Sequence, residues 1–139
     1  MLVGQLMHKE LVTILQTATV REAAIRMKGE NVGSVLIVDE DMKLKGIVTD
    51  RDIAIAVGAD GQDPESTFID HIMTNEPEIV DVETDVDAAL RLMRRKNIRR
   101  LPVVENGKLV GLLSTADVAG EIKEEFNNFL GLEEAFAKH

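Results

Sequence analysis

The chain has 139 residues, 45% hydrophobic and 29% charged, a composition that excludes a disordered protein and fits a globular one. Aromatic residues make up only 3%, with no Trp or Tyr, so a planar ligand would have to be gripped by aliphatic side chains rather than stacked rings. A formal charge of −9 argues against nucleic-acid binding and against attraction to anionic membranes, and the lack of cysteine excludes disulfides, thiolate nucleophiles and Cys-ligated zinc.

In chain order, the first expected strand is 12–15. Thr19 and Glu22 then form a capping box. Val20, Ala23, Ala24 and Met27 follow at i, i+3, i+4 and i+7, one face of a helix. Short apolar runs at 35–38 and 44–48 predict two buried strands, because they are brief and β-branched. A helix is expected to start near Thr49. The polar stretch 59–66 reads as a linker.

After the linker the pattern repeats. A strand at 79–82 leads to Asp85, a good N-cap, and Val86, Ala89, Leu90 and Met93 restore the earlier helical spacing. Strands at 101–104 and 109–113 follow, separated by Asn106-Gly107, the strongest hairpin signal in the chain. A second helix is expected near Ser114. Ile122, Phe126, Phe129 and Leu130 give its continuation an apolar face. Gly131 is expected to end that helix, with Phe136 beyond it. The apolar face either covers the chain's own core or serves as a dimer contact or docking surface for a protein partner.

Each repeat therefore reads strand, helix, strand, strand, helix. The expected fold is α/β, two βαββα repeats packed about a pseudo-twofold axis as one compact module. Residues 1–62 and 63–124 are the repeats and 125–139 an amphipathic tail. A half of about 60 residues makes a marginal core alone. Packing one half on the other relieves that, and a cleft at such a junction suits a ligand.

Two copies of a Gly-hydrophobic-x-Thr/Ser-x-x-Asp-hydrophobic signature stand in register within this repeat. They are Gly46, Thr49, Asp52 and Ile53, then Gly111, Ser114, Asp117 and Val118. With the strand and capped helix before each copy, the chain resembles paired CBS domains, a Bateman module, over residues 6–121. The resemblance implies a regulatory sensor of an adenosine ligand: AMP, ADP, ATP or S-adenosylmethionine. It implies that Asp52 and Asp117 hold ribose hydroxyls, that Thr49, Ser114 and nearby basic residues hold phosphate, and that two modules form a flat dimer.

The chemistry of these residues fits that role. An ionised carboxylate accepts hydrogen bonds from both hydroxyls of a ribose, and a helix start offers N–H groups to phosphate. The upstream glycine would let the backbone approach the ligand. The same Thr/Ser-x-x-Asp pattern also reads as a plain helix cap, and both roles can coexist. Arg99 and Arg100 are either phosphate ligands, through the guanidinium fork, or a solvated strand edge continuing the basic end of a helix. In the first repeat Gly33 and Ser34 replace them, with Arg51 as partial compensation. Two unequal sites are expected, the one on Asp117 taking the phosphorylated ligand better. Through the resemblance, Val12, Val32, Ile79, Val80 and Leu112 are candidates to face the adenine.

His8, His71 and His139 lack metal-ligand spacing, so no metal site is expected. No nucleophile–base pair or carboxylate dyad is recognisable, so the reading is not an enzyme and requires no cofactor. No apolar run approaches the ~20 residues of a membrane span, and no signal or lipidation motif is read, so a cytoplasmic protein is expected. The competing reading is a structural dimerisation or partner-docking module with no nucleotide ligand.

Overall fold

In the computed structural model the backbone is described for residues 1–137 and the side chains for 1–135. His139 and the Phe136 side chain lie outside the described residues. The first repeat contains β1 (Thr13–Leu15), α2 (Val20–Glu30), β2 (Ser34–Val38), β3 (Leu44–Thr49) and α3 (Asp50–Ala54). A short helix, α1 (Val3–Leu6), precedes it, and a π-helical segment, Ile55–Ala59, extends α3. The second repeat opens with a 3-10 turn, Ile69–His71, and β4 (Thr74–Asn75). It continues with β5 (Val80–Asp81), α4 (Val86–Lys96), β6 (Arg100–Glu105), β7 (Lys108–Ser114) and α5 (Thr115–Ala137).

The two halves share their local chemistry. Thr19 caps α2 by accepting the Glu22 N–H, while Glu22 accepts the Thr19 N–H. Asp85 caps α4 by accepting the Asp87 N–H at 2.8 Å. Both helices end on an asparagine in the left-handed region, Asn31 at φ 54° and Asn97 at φ 55°. Asparagine tolerates that conformation better than most side chains. β1 runs parallel to β2 and β5 to β6, while β2 runs antiparallel to β3 and β6 to β7. A bulge recurs at the same place, between Ile37 and Val38 and between Val103 and Val104. Asn106 and Gly107, both at positive φ, turn the β6–β7 hairpin as their sequence predicts.

The halves exchange their lead-in segments. Val3 is fully buried in the core of the second half, among Val80, Val86, Ala89, Leu101 and Leu113. Ile69 is fully buried in the core of the first half, among Val20, Ala23, Val35, Ile37 and Val48. β4 pairs with β3 and completes a four-stranded sheet, and His8 pairs with Leu112 of β7 in the equivalent position.

This exchange gives the motif glycines their reason. A Cβ on Gly46 would stand 2.7 Å from the Thr74 carbonyl oxygen, and one on Gly111 would stand 2.9 Å from that of His8. Both would also overlap the sulfur of a methionine, Met73 or Met7. The close approach expected of a ligand is made by the chain's own lead-in segment.

The tail departs from one expectation and decides between two open readings. Gly131 does not end a helix, because α5 runs unbroken for 23 residues. Leu130, Leu132, Glu133 and Glu134 around it favour helix, and one interior glycine costs only about 1 kcal/mol. Nor does the apolar face cover the chain's own core: Ile122 and Phe126 are each 58% exposed and Phe129 is 54% exposed.

Candidate functional site

The signature residues first build the helix starts. Asp52 Oδ2 accepts the Thr49 N–H at 2.9 Å, and Thr49 Oγ1 accepts the Asp52 N–H at 3.2 Å. In the second half Asp117 Oδ2 accepts both the Ser114 N–H, at 2.9 Å, and the Ser114 hydroxyl, at 2.8 Å. The Asp117 N–H returns to Ser114 Oγ at 3.2 Å. These are reciprocal capping boxes with aspartate in the place usually held by glutamate. Only Oδ2 is consumed, so each carboxylate keeps Oδ1 for another partner.

Above these helix starts lie two clefts, each drawing on both repeats. Cleft 1 has a volume of about 380 Å³. Its apolar walls are Leu11, Val12, Val32, Leu36 and Leu112, and its polar end holds Arg99, Arg100, Ser114, Thr115 and Ala116. Cleft 2 is the counterpart, about 720 Å³, with Thr49, Asp50, Arg51 and Asp52 on one side and Ile98, Arg99, Arg100 and Pro102 on the other. Both volumes lie in the range of about 300–1,000 Å³ usual for small-molecule sites.

The clefts differ in electrostatics. Cleft 1 rests on the N-terminus of the 23-residue α5, and cleft 2 on that of α3, which the π-helical segment Ile55–Ala59 continues. In cleft 2 the Arg51 N–H is taken by Asp50 Oδ1 at 2.8 Å, which places a carboxylate where an anion would sit. The counterpart of Asp50 in cleft 1 is Thr115, which leaves the Ala116 N–H without a carboxylate. Cleft 2 also carries Glu76 and Glu78, the latter ion-paired with Lys96 at 3.4 Å. Among the described residues the only acid lining cleft 1 is Glu10.

Most sequence-predicted residues come together here. Val12, Val32, Leu112, Ser114, Arg99 and Arg100 line cleft 1, and Thr49, Arg51 and Asp52 line cleft 2. The arginines line both clefts, because β6 starts between them, and the Arg100 guanidinium reaches over Gly33. Asp117 lines neither cleft, since His8 Nδ1 meets its Oδ1 at 2.9 Å. Ile79 and Val80 also line neither. Val80 belongs to the core of the second half, and Ile79 is half exposed outside the clefts.

Sequence reasoning weighed His8 only as a metal ligand and passed over Leu11, Glu76 and Glu78. They sit in the lead-in segments, and only the exchange between halves brings those segments to the clefts. Among the described residues no cluster of three or more His, Asp or Glu side chains could hold a metal ion. No described helix is long and apolar enough to cross a membrane.

A repeated βαββα unit with exchanged lead-ins and a cleft on each third-strand-to-helix turn defines a class of paired modules. The CBS domain profile matches residues 3–59 and 69–124, and the chain belongs to the CBS domain family. Protein YlbB of Bacillus subtilis is 40% identical over 129 residues, which cover 88% of this chain and 85% of YlbB. The CBS domain pair of protein MJ0100, crystallised with methylthioadenosine and S-adenosyl-L-methionine, superposes with a TM-score of 0.81. It is 28% identical and covers 90% of this chain and 98% of its own. Hypoxic Response Protein I, crystallised with two coordinated zinc ions, gives a TM-score of 0.77 at 28% identity, covering 86% of this chain and 97% of its own.

Proposed function

We propose that this protein is a ligand-sensing regulatory module that binds adenosine compounds in its two clefts and performs no chemistry on them. The carrying observation is the polar end of cleft 1. There the α5 N-terminus, the Ser114 hydroxyl and the Arg99 and Arg100 guanidinium groups converge beside an aliphatic wall of Val12, Val32, Leu36 and Leu112. A base fits against the wall and a phosphate against the guanidinium groups and the Ala116 N–H. Cleft 1 takes AMP, ADP or ATP. Cleft 2, with Asp50, Asp52, Glu76 and Glu78, suits an uncharged nucleoside or the cationic S-adenosylmethionine. The ligands of the MJ0100 pair are of this second kind and support the reading. Because each cleft bridges both repeats, a ligand shifts their relative orientation, and a partner reads the shift.

Isothermal titration with AMP, ATP and S-adenosylmethionine tests this. The expected result is saturable AMP binding that Asp117→Ala weakens more than Asp52→Ala does, with the reverse order for S-adenosylmethionine. No heat with any of the three would overturn it.

The apolar face of α5 favours one further element, a homodimer. Ile122, Phe126 and Phe129 lie exposed on one helix, and a second copy would cover them. The module then acts as a dimer outside any membrane, with a protein partner downstream.

A further inference from the structure

The two clefts are built on one plan but differ at the carboxylate that would anchor a ribose. Asp52 lines cleft 2, and among the described residues its Oδ1 meets no hydrogen-bond donor. The matching oxygen in the second repeat, Asp117 Oδ1, lies 2.9 Å from His8 Nδ1. His8 lines cleft 1 and Asp117 does not, so the imidazole stands between the carboxylate and the cavity.

Only the ring can move. The His8 backbone is fixed to β7, its N–H donating to the Leu112 carbonyl at 2.9 Å and its carbonyl accepting the Leu112 N–H at 3.0 Å. The imidazole is 46% exposed, whereas the Asp117 side chain is 17% exposed, so the histidine can rotate away into solvent without disturbing the strand. In cleft 2 the equivalent position is Thr74, paired with Ile47 as His8 is with Leu112. Its side chain is shorter and donates no hydrogen bond to Asp52.

We propose that His8 is a built-in competitor for the ribose-anchoring carboxylate of cleft 1, and so determines which cleft fills first. The inference rests on the nucleotide reading above. Asp117 Oδ2 already accepts two hydrogen bonds from Ser114, so a ribose that donates both hydroxyls needs the whole of Oδ1 and displaces the imidazole. Cleft 2 makes no such demand. A ligand for cleft 1 must therefore bring enough binding through its phosphate to offset the lost His8–Asp117 contact. His8 thus lowers the affinity of cleft 1 for AMP and adenosine alike, so that of the two only the one with phosphate contacts to offset the loss fills it at low concentration. Displacing His8 also frees a side chain of the exchanged lead-in segment, which ties cleft occupancy to the contact between halves.

The test uses the full chain with Asp52→Ala, which removes the cleft 2 carboxylate, titrated with AMP, adenosine and 2′,3′-dideoxy-AMP. Adding His8→Ala, or His8→Thr to copy the other repeat, is expected to tighten AMP and adenosine about tenfold. The dideoxy compound, which lacks the hydroxyls, should gain nothing. With Asp117→Ala present, His8→Ala should have no effect. Unchanged or weaker AMP binding in both His8 variants, with the fold intact by circular dichroism, would overturn the competitor while leaving the nucleotide reading in place. Absence of AMP binding in every variant would overturn both.

Discussion

At the scale of single residues, steric room and hydrogen-bond capacity decide more than residue type does. Gly46 and Gly111 are needed because a lead-in segment crosses directly over them. Gly46→Ala or Gly111→Ala is expected to destabilise the protein by about 1–3 kcal/mol, as overpacking does. Gly120, in α5 with nothing within 4 Å of a Cβ, is the contrast. Gly120→Ala should stabilise by about 0.5–1 kcal/mol, because alanine loses less backbone entropy in a helix. Urea unfolding of the three variants separates the two outcomes, and a destabilised Gly120→Ala would show that α5 is packed on its outer face. The signature aspartates illustrate capacity. One oxygen closes the helix cap, and the other is either open, as in Asp52, or held by His8, as in Asp117.

At the scale of elements, α2 and α4 behave as amphipathic helices should, burying Val20, Ala23 and Met27 in one half and Val86, Ala89 and Met93 in the other. Helix α5 does not. Its first turn serves cleft 1 and buries Val118, while Phe126 and Phe129 further along are left uncovered. An apolar stripe of this length in water calls for a partner surface. Phe126→Ser together with Phe129→Ser is expected to convert a dimer to a monomer in sedimentation velocity, without lowering the melting temperature of the core. A wild-type protein that sediments as a monomer at all concentrations would assign the stripe to a different protein.

At the scale of the whole molecule, the exchange of lead-in segments makes the two halves interdependent. Val3 fills the second core although it stands at the start of the first repeat. Val3→Ala is expected to cost about 2 kcal/mol, the usual order for emptying a fully buried aliphatic site. Single residues far apart in sequence should then unfold together. Chains cut between residues 62 and 63 should show no cooperative melt separately and regain one when mixed. Independent melting of either piece would mean that the exchanged segments contribute little.

Much of this was legible in the sequence, because local chemistry repeats. The helix spacing, the capping boxes, the Asn-Gly turn and the Thr/Ser-x-x-Asp signatures each act within a few residues of themselves. Twofold repetition raised them from short motifs to a family. The helix continuing through Gly131 was not legible, because a single glycine is a weak breaker whose effect depends on its neighbours. The sequence by itself determined the repeats, the strand order within each half and which residues stand at the helix starts. Only the tertiary structure decided that Met7 and His8 cross to β7, that Glu76 and Glu78 enter cleft 2, that Arg99 and Arg100 face both clefts, and that Asp117 is covered. Those placements join segments distant in the chain, and no local pattern encodes a contact made through space by packing one half on the other.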